Sequence, residues 1–243
     1  MRAITAVPAW LAMTWDQRLV STVQTVVEPV VGTFNRRPPK PGRPPWNHNI
    51  AYYPVIMEAA PSPCRRALDV GCGQGLLVDE LSAVAESVVG IERDRDALAA
   101  AARRTERLRN VTLLESDVFD AELPLGGFDL VSAVAVLHHM PLEAGLARLA
   151  ELVAPGGTLV AVGMAKSQGW RDLARTAAAF PVANVQVLRH GHTDVGAPTV
   201  DPAETLGEIE AAAARIVPGA DIRPRLLFRY TLVWRRPEAA QTP

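Results

Sequence analysis

Two cysteines in 243 residues, Cys64 and Cys72, make neither a disulfide framework nor a zinc-ligand pattern. Free thiols fit a reducing, cytoplasmic setting. Charge of one sign is also missing: 25 Lys and Arg stand against 26 Asp and Glu, for a net charge of −1. A chain this balanced carries no broad basic face for neutralising nucleic-acid phosphates. Apolar residues make up 49% of the chain, but no uninterrupted run approaches the length of a membrane span. Ala3–Trp15 is apolar behind the single Arg2, yet Pro8 interrupts it and no small-residue cleavage site precedes Asp16-Gln17-Arg18. A secretory leader is therefore not expected. No internal repeat is present, which sets solenoid folds aside.

What the chain does have is a length suited to one large domain and an alternation of apolar runs with helix-like segments. The runs lack the polar/apolar alternation of half-exposed strands and read as strands buried on both faces, the signature of a parallel sheet. One junction stands out: Ala67–Gly75 reads A-L-D-V-G-C-G-Q-G, a short strand running into Gly71, Gly73 and Gly75, with Leu76-Leu77-Val78 opening a helix behind them. Glycine lets the backbone pass close to a ligand with no Cβ in the way. A strand, a glycine turn and a helix start form a nucleotide-sized cradle. A side chain at Gly71 is expected to fill the ligand space and leave the fold intact. The spacing is not the G-x-G-x-x-G of a dinucleotide fold, and no Lys-Ser/Thr pair follows as in a P-loop. An acidic residue, Asp69, lies two before the first glycine. It would repel pyrophosphate but suits a ligand carrying an ammonium or sulfonium.

With these residues the chain resembles the class I S-adenosylmethionine-dependent methyltransferases, whose first motif is similar to Asp69, Gly71, Gly73 and Gly75. The resemblance continues through Val88-Val89-Gly90-Ile91-Glu92, a second strand ending in a carboxylate that can accept ribose hydroxyl protons. It implies that Glu92 is the ribose-binding acid. Val111–Val118 resembles a third strand whose Asp117 and Val118 meet the adenine. Phe128–Pro141 resembles the central strand, and Val153–Val162, with its Pro155-Gly156-Gly157 turn, the fifth. The resemblance covers roughly residues 65–165. It implies a Rossmann-like, seven-stranded, mostly parallel sheet with an antiparallel last strand and helices on both faces. S-adenosyl-L-methionine is the implied cofactor, with Cys72, Arg93 and Val134 completing its wall.

Outside that stretch the reading rests on shorter signals. Residues 1–45 form an N-terminal arm ending in the basic, proline-rich link Arg36–Pro45, and 46–243 form the methyltransferase domain. The polar-aromatic cluster Trp46-Asn47-His48-Asn49 with Tyr52-Tyr53 precedes a helix over Val55–Ala60. In the resembled family such a segment folds over the cofactor, which implies Tyr52 on its methionine part and His48 toward the acceptor. Gly169–Phe180 reads as a helix, and His190-Gly191-His192-Thr193-Asp194 as a solvated loop rather than a metal site. Asp201-Pro202-Ala203-Glu204 reads as the cap of a helix running to about Val217. Arg225–Trp234 reads as the strand that closes the sheet.

The implied chemistry is methyl transfer to a small-molecule acceptor through an oxygen, nitrogen or carbon nucleophile, with no nucleic acid, membrane or metal involved. Alignment supplies most of the catalysis in such a displacement. A base is needed only if the acceptor must lose a proton. Of five histidines, His48 and His139 are the candidates for that role; His138 shares the edge of the fourth strand with His139. Two other functions fit the same residues: a protein that binds the cofactor for another reaction, cyclase-like, or a non-enzymatic binding protein.

Overall fold

Seven strands form one sheet in the order β3-β2-β1-β4-β5-β7-β6. They are β1 (Cys64–Val70), β2 (Ala85–Glu92), β3 (Val111–Glu115), β4 (Phe128–Val134), β5 (Val153–Met164), β6 (Asp221–Pro224) and β7 (Arg229–Arg235). The computed structural model describes residues 38, 40, 42–166, 185–193, 201–226 and 229–238. The first five strands pair in parallel, and β7 runs antiparallel to both β5 and β6. The expected mostly parallel sheet with a reversed last strand is thus present. The arm over residues 1–37 and the helix expected at Gly169–Phe180 lie outside the described residues.

The apolar runs form the middle of the sheet because both of their faces are covered. In β1, Ala67, Leu68 and Val70 are buried, and in β4 so are Phe128, Leu130, Val131 and Ala133. On one face α1 (Tyr53–Ala59) and α2 (Leu76–Leu81) contribute Ile56, Leu77, Val78 and Leu81. On the other, α4 (Leu142–Leu152) and α5 (Leu206–Ile216) contribute Leu146, Leu149, Leu152, Ile209 and Ala213. Between them in sequence, α3 (Arg95–Thr105) connects β2 to β3. Each fully buried leucine contributes about 1.5–3 kcal/mol, so the two apolar layers fix which sheet face each helix covers.

Two local expectations need correction. α5 does not begin at Asp201-Pro202. Its cap is Thr205, whose Oγ1 accepts from the Glu208 backbone N–H while the Glu208 carboxylate accepts from the Thr205 N–H. Upstream, the Lys166 N–H donates to the Glu204 carbonyl at 2.7 Å and Lys166 bridges to Thr205, which holds 204–205 extended. That pairing displaces the helix start by one turn. Likewise, Arg225–Trp234 is not one strand. β6 ends at Pro224, opposite Tyr230, and β7 starts only at Arg229.

β1 is central, flanked by β2 on one side and β4 on the other. Strand order reverses there, and ligands of open α/β sheets bind in the crevice at such a point, outside the carboxyl ends of the strands. Replacing Thr205 with Ala removes one half of the α5 capping box. We expect a loss of about 1 kcal/mol in urea unfolding with no effect on ligand binding.

Candidate functional site

The turn after β1 is pinned to the neighbouring strand. Gly71 and Cys72 both donate their N–H groups to the Ile91 carbonyl of β2, at 2.8 and 3.0 Å. The three glycines then do different things. Gly71 has φ +67°, and a Cβ there would run into Val136 beyond β4, so a side chain would disturb the protein before it reached a ligand. Gly75 (φ +75°) would meet Ala101 of α3 at 2.9 Å; it sets the spacing between turn and helix. At Gly73 (φ +52°) a Cβ would meet no protein atom within 4 Å. That position alone opens onto free space.

Glu92, at the end of β2, ties the turn together. Its Oε2 accepts from the Gly73 N–H, and its Oε1 from the N–H groups of Arg93 and Asp94, each at 2.9 Å. Three N–H donors orient the carboxylate and leave acceptor capacity for a further hydroxyl. Asp117 follows β3. Its Oδ1 accepts from the Phe119 N–H at 3.0 Å, and its Oδ2 lies 3.9 Å from Arg93 Nη1. Asp117 thus also closes its own turn, and the adjoining Val118 is buried.

Asp69 is 3% exposed and accepts from Ser132 Oγ of β4 at 2.8 Å. Burial pushes its pKa up to about 7; the Ser132 hydrogen bond works against this and the Glu92 charge adds to it. A group this close to neutrality is poised to ionise when a cation approaches.

These residues share one cleft. Its lining includes Asp69, Gly71, Cys72, Gly73, Glu92, Arg93, Asp117, Val118, Val134 and His139 from the positions singled out in the sequence. Tyr52, Gly75 and His48 are not part of it. The residues next to all three are: Tyr53, the first residue of α1, Asn47 and Asn49 on either side of His48, and Gln74 and Leu76 on either side of Gly75. Asn47 is a buried corner, its Oδ1 accepting from the N–H groups of Asn49 and Ile50 and its Nδ2 donating to the Thr193 carbonyl. The W-N-H-N string drew attention to its imidazole, but its two amides build the wall. Ala135 is also in the lining, with φ +57°, a left-handed conformation rare for alanine. Its N–H donates to the Val162 carbonyl at 2.7 Å, which holds the turn. Nothing in the string V-A-V signals that strain, which only the pairing to β5 imposes.

The histidines divide into two places. His139 lines the cleft, and its ring lies 4.1 Å from that of His138. Burial lowers the His139 pKa, helped by Arg93. Burial, His139 and Arg229 lower that of His138 to about 4. His48 lies beside His192, ring to ring at 6.0 Å, and burial with Arg229 and His192 lowers it to about 3. His190 ends a helix over 185–190, so the expected loop begins only at Gly191; Asp194 lies outside the described residues. Among the described residues no cluster of three metal-ligating side chains exists, and no helix is long and apolar enough to cross a membrane.

A family model described as a methyltransferase domain matches residues 67–157. An uncharacterized methyltransferase of Mycobacterium tuberculosis is 34% identical over 197 residues, which is 79% of this chain and 98% of the relative. A ubiquinone biosynthesis O-methyltransferase of Thiobacillus denitrificans is 34% identical over 126 residues, 46% of this chain and 54% of that protein. Among solved structures, a methyltransferase from Methanosarcina mazei superposes with a TM-score of 0.54 at 17% identity, covering 77% of this chain and 99% of that one. The N-methyltransferase NodS from Bradyrhizobium japonicum, in complex with S-adenosyl-L-homocysteine, has a TM-score of 0.51 at 16% identity, over 78% and 87%. These likenesses match the fold described above.

The raised pKa of Asp69 makes a signed prediction. Its ordinary value is 3.8 and its folded value about 7, so between these pH values the folded state holds a proton that the unfolded state has lost. The contribution is full below about pH 4 and disappears as pH rises through 7, on the order of 4 kcal/mol in all. The stability difference between ligand-free wild type and Asp69→Asn, from urea unfolding at pH 5 and pH 8, is expected to move against the wild type at the higher pH. A pH-independent difference would contradict the assignment.

Proposed function

This chain belongs to the class I S-adenosylmethionine-dependent methyltransferase family, and we propose that it methylates a small molecule bound beside the Gly71–Gly75 turn. The observation that carries the reading is the Glu92 carboxylate, locked by three N–H groups next to Gly73, the one turn position with open space over it. The cleft residues fit an adenosyl sulfonium. Glu92 accepts the ribose hydroxyl protons. Asp117 accepts from the adenine amine, and the Val118 N–H faces a ring nitrogen. Cys72 and Val134 supply apolar wall, and Arg93 spans toward Asp117 across the mouth. Asp69 offers a buried carboxylate whose ionisation a positively charged ligand restores.

When bound, S-adenosyl-L-methionine supplies an activated methyl group on a good leaving group. The chain's own part is to align the acceptor and keep the site dry. Asn47, Asn49 and Tyr53 close the cleft from the N-terminal side, and His139 and Met140 from the end of β4. In this reading residues 46–243 are the catalytic domain and 1–45 an arm outside it. The two free, buried cysteines fit a reducing compartment such as the cytoplasm.

Calorimetry with S-adenosyl-L-homocysteine tests the reading. Glu92→Ala is expected to lower affinity ten- to a hundredfold, about 1–3 kcal/mol, through loss of charged hydrogen-bond acceptors. Gly73→Val places a side chain in the open space and is expected to abolish binding. Its cost to folding is limited to about 1–2 kcal/mol of backbone strain. Unchanged affinity in both variants would remove the proposal.

A further inference from the structure

Next to the donor cleft lies a group of side chains that donor binding leaves unused. Three segments far apart in sequence build it. Residues 46–52 carry His48 and Tyr52. Residues 191–193 bring His192 against His48, while Thr193 exchanges hydrogen bonds with Trp46: Trp46 N–H to Thr193 Oγ1 at 3.0 Å and Thr193 N–H to the Trp46 carbonyl at 2.7 Å. β7 opens with Arg229, in register with Met164 at the end of β5. Arg229 therefore stands at the same sheet edge as the cleft. Its Nε donates to Asn49 Oδ1 at 2.8 Å, and Asn49 lines the cleft, so this group of side chains borders the cleft through Asn49.

The formal charge within this group is positive, carried by Arg229 and the nearby Arg225. Arg229 acts on both His48 and His138, and Arg229 and Arg225 both act on the Tyr52 phenol. His48 Nε2 and His138 Nδ1 are buried with no hydrogen-bond partner. Burial and the guanidinium hold both rings neutral, with pKa values of about 3 and 4. Imidazoles this acidic are poor acceptors for the proton of an alcohol or phenol. A cationic surround also disfavours an ammonium group. The acceptor chemistry that fits both facts is an oxygen that is already anionic at neutral pH.

Resting on the donor site proposed above, we propose that the methyl acceptor is a small carboxylic acid, seated beside Arg229 and converted to its methyl ester. The carboxylate oxygen gains the methyl group, the donor's C–S bond breaks with its electron pair left on sulfur, and no proton moves. The neutral rings accept hydrogen bonds from the acid's other polar groups. The ester has lost the charge that held the acid beside the guanidinium, which favours its release.

Two measurements on the full chain test this. First, the protein is incubated with methyl-tritiated S-adenosyl-L-methionine and a small-molecule extract of bacterial cells, and the labelled products are treated with alkali. Label released as methanol is the expected result. Second, the complex with S-adenosyl-L-homocysteine is heated with acetate, succinate or benzoate and with the matching neutral amides. At least one acid is expected to raise the melting temperature by about 2 °C or more over its amide. That difference should be lost in Arg229→Gln and largely kept in Arg229→Lys, with homocysteine-adduct affinity within about threefold of wild type in both. Failure of S-adenosyl-L-homocysteine to bind wild type would overturn the donor site and this proposal together. Intact binding combined with alkali-stable label, with no label, or with acids no better than their amides would overturn the carboxylate acceptor alone.

Discussion

The Glu92 carboxylate is the constraint on which the site depends. It joins the end of β2 to the glycine turn after β1 through Gly73, and to the start of α3 through Arg93 and Asp94. With the Ile91 carbonyl accepting from Gly71 and Cys72, the turn is held from two successive residues of one strand. A loop built around three left-handed glycines has little stiffness of its own. Its shape comes from β2. Binding a ligand there costs little ordering, because the donors and acceptors are already fixed by bonds made without it.

The price of that arrangement is the burial of Asp69. Its side chain sits inside the sheet edge with one hydroxyl partner, Ser132, and a second carboxylate near enough to matter. An acid in such surroundings stays partly protonated unless a cation compensates it. The donor pocket and the histidine-arginine group beside it differ in sign: carboxylates dominate the first, and the Arg229 guanidinium carries the charge of the second. Opposite potentials on adjoining groups favour ligands of opposite charge on the two sides.

How much of this was legible in the sequence depended on locality. The strands from β1 to β5 and the turn between Asp69 and Gly75 are contiguous strings whose chemistry is complete within a few residues, and the mostly parallel sheet was legible through the family resemblance they carry. The separate duties of the glycines were not legible, since the partners of Gly71 and Gly75 are Val136 and Ala101, far along the chain. Nor was the left-handed Ala135, nor the choice of Asn47, Asn49 and Tyr53 over His48 and Tyr52 as cleft wall. An N-cap pattern misled at Asp201 because the bridge from Lys166 keeps the following residues extended, and Thr205 with Glu208 offers the helix a reciprocal cap one turn later.

The bond between Asn49 and Arg229 spans 180 residues, and that between Trp46 and Thr193 spans 147. The donor pocket, by contrast, is lined entirely by residues between Asn47 and Met140. Variation of acceptor preference among related chains should therefore be concerted, with changes near 46–49 answered by changes near 192 and 229, while the nucleotide-binding turn drifts independently. The wall is a collective property of three remote pieces of sequence, and a swap of any single piece between relatives would inherit only a fragment of the specificity.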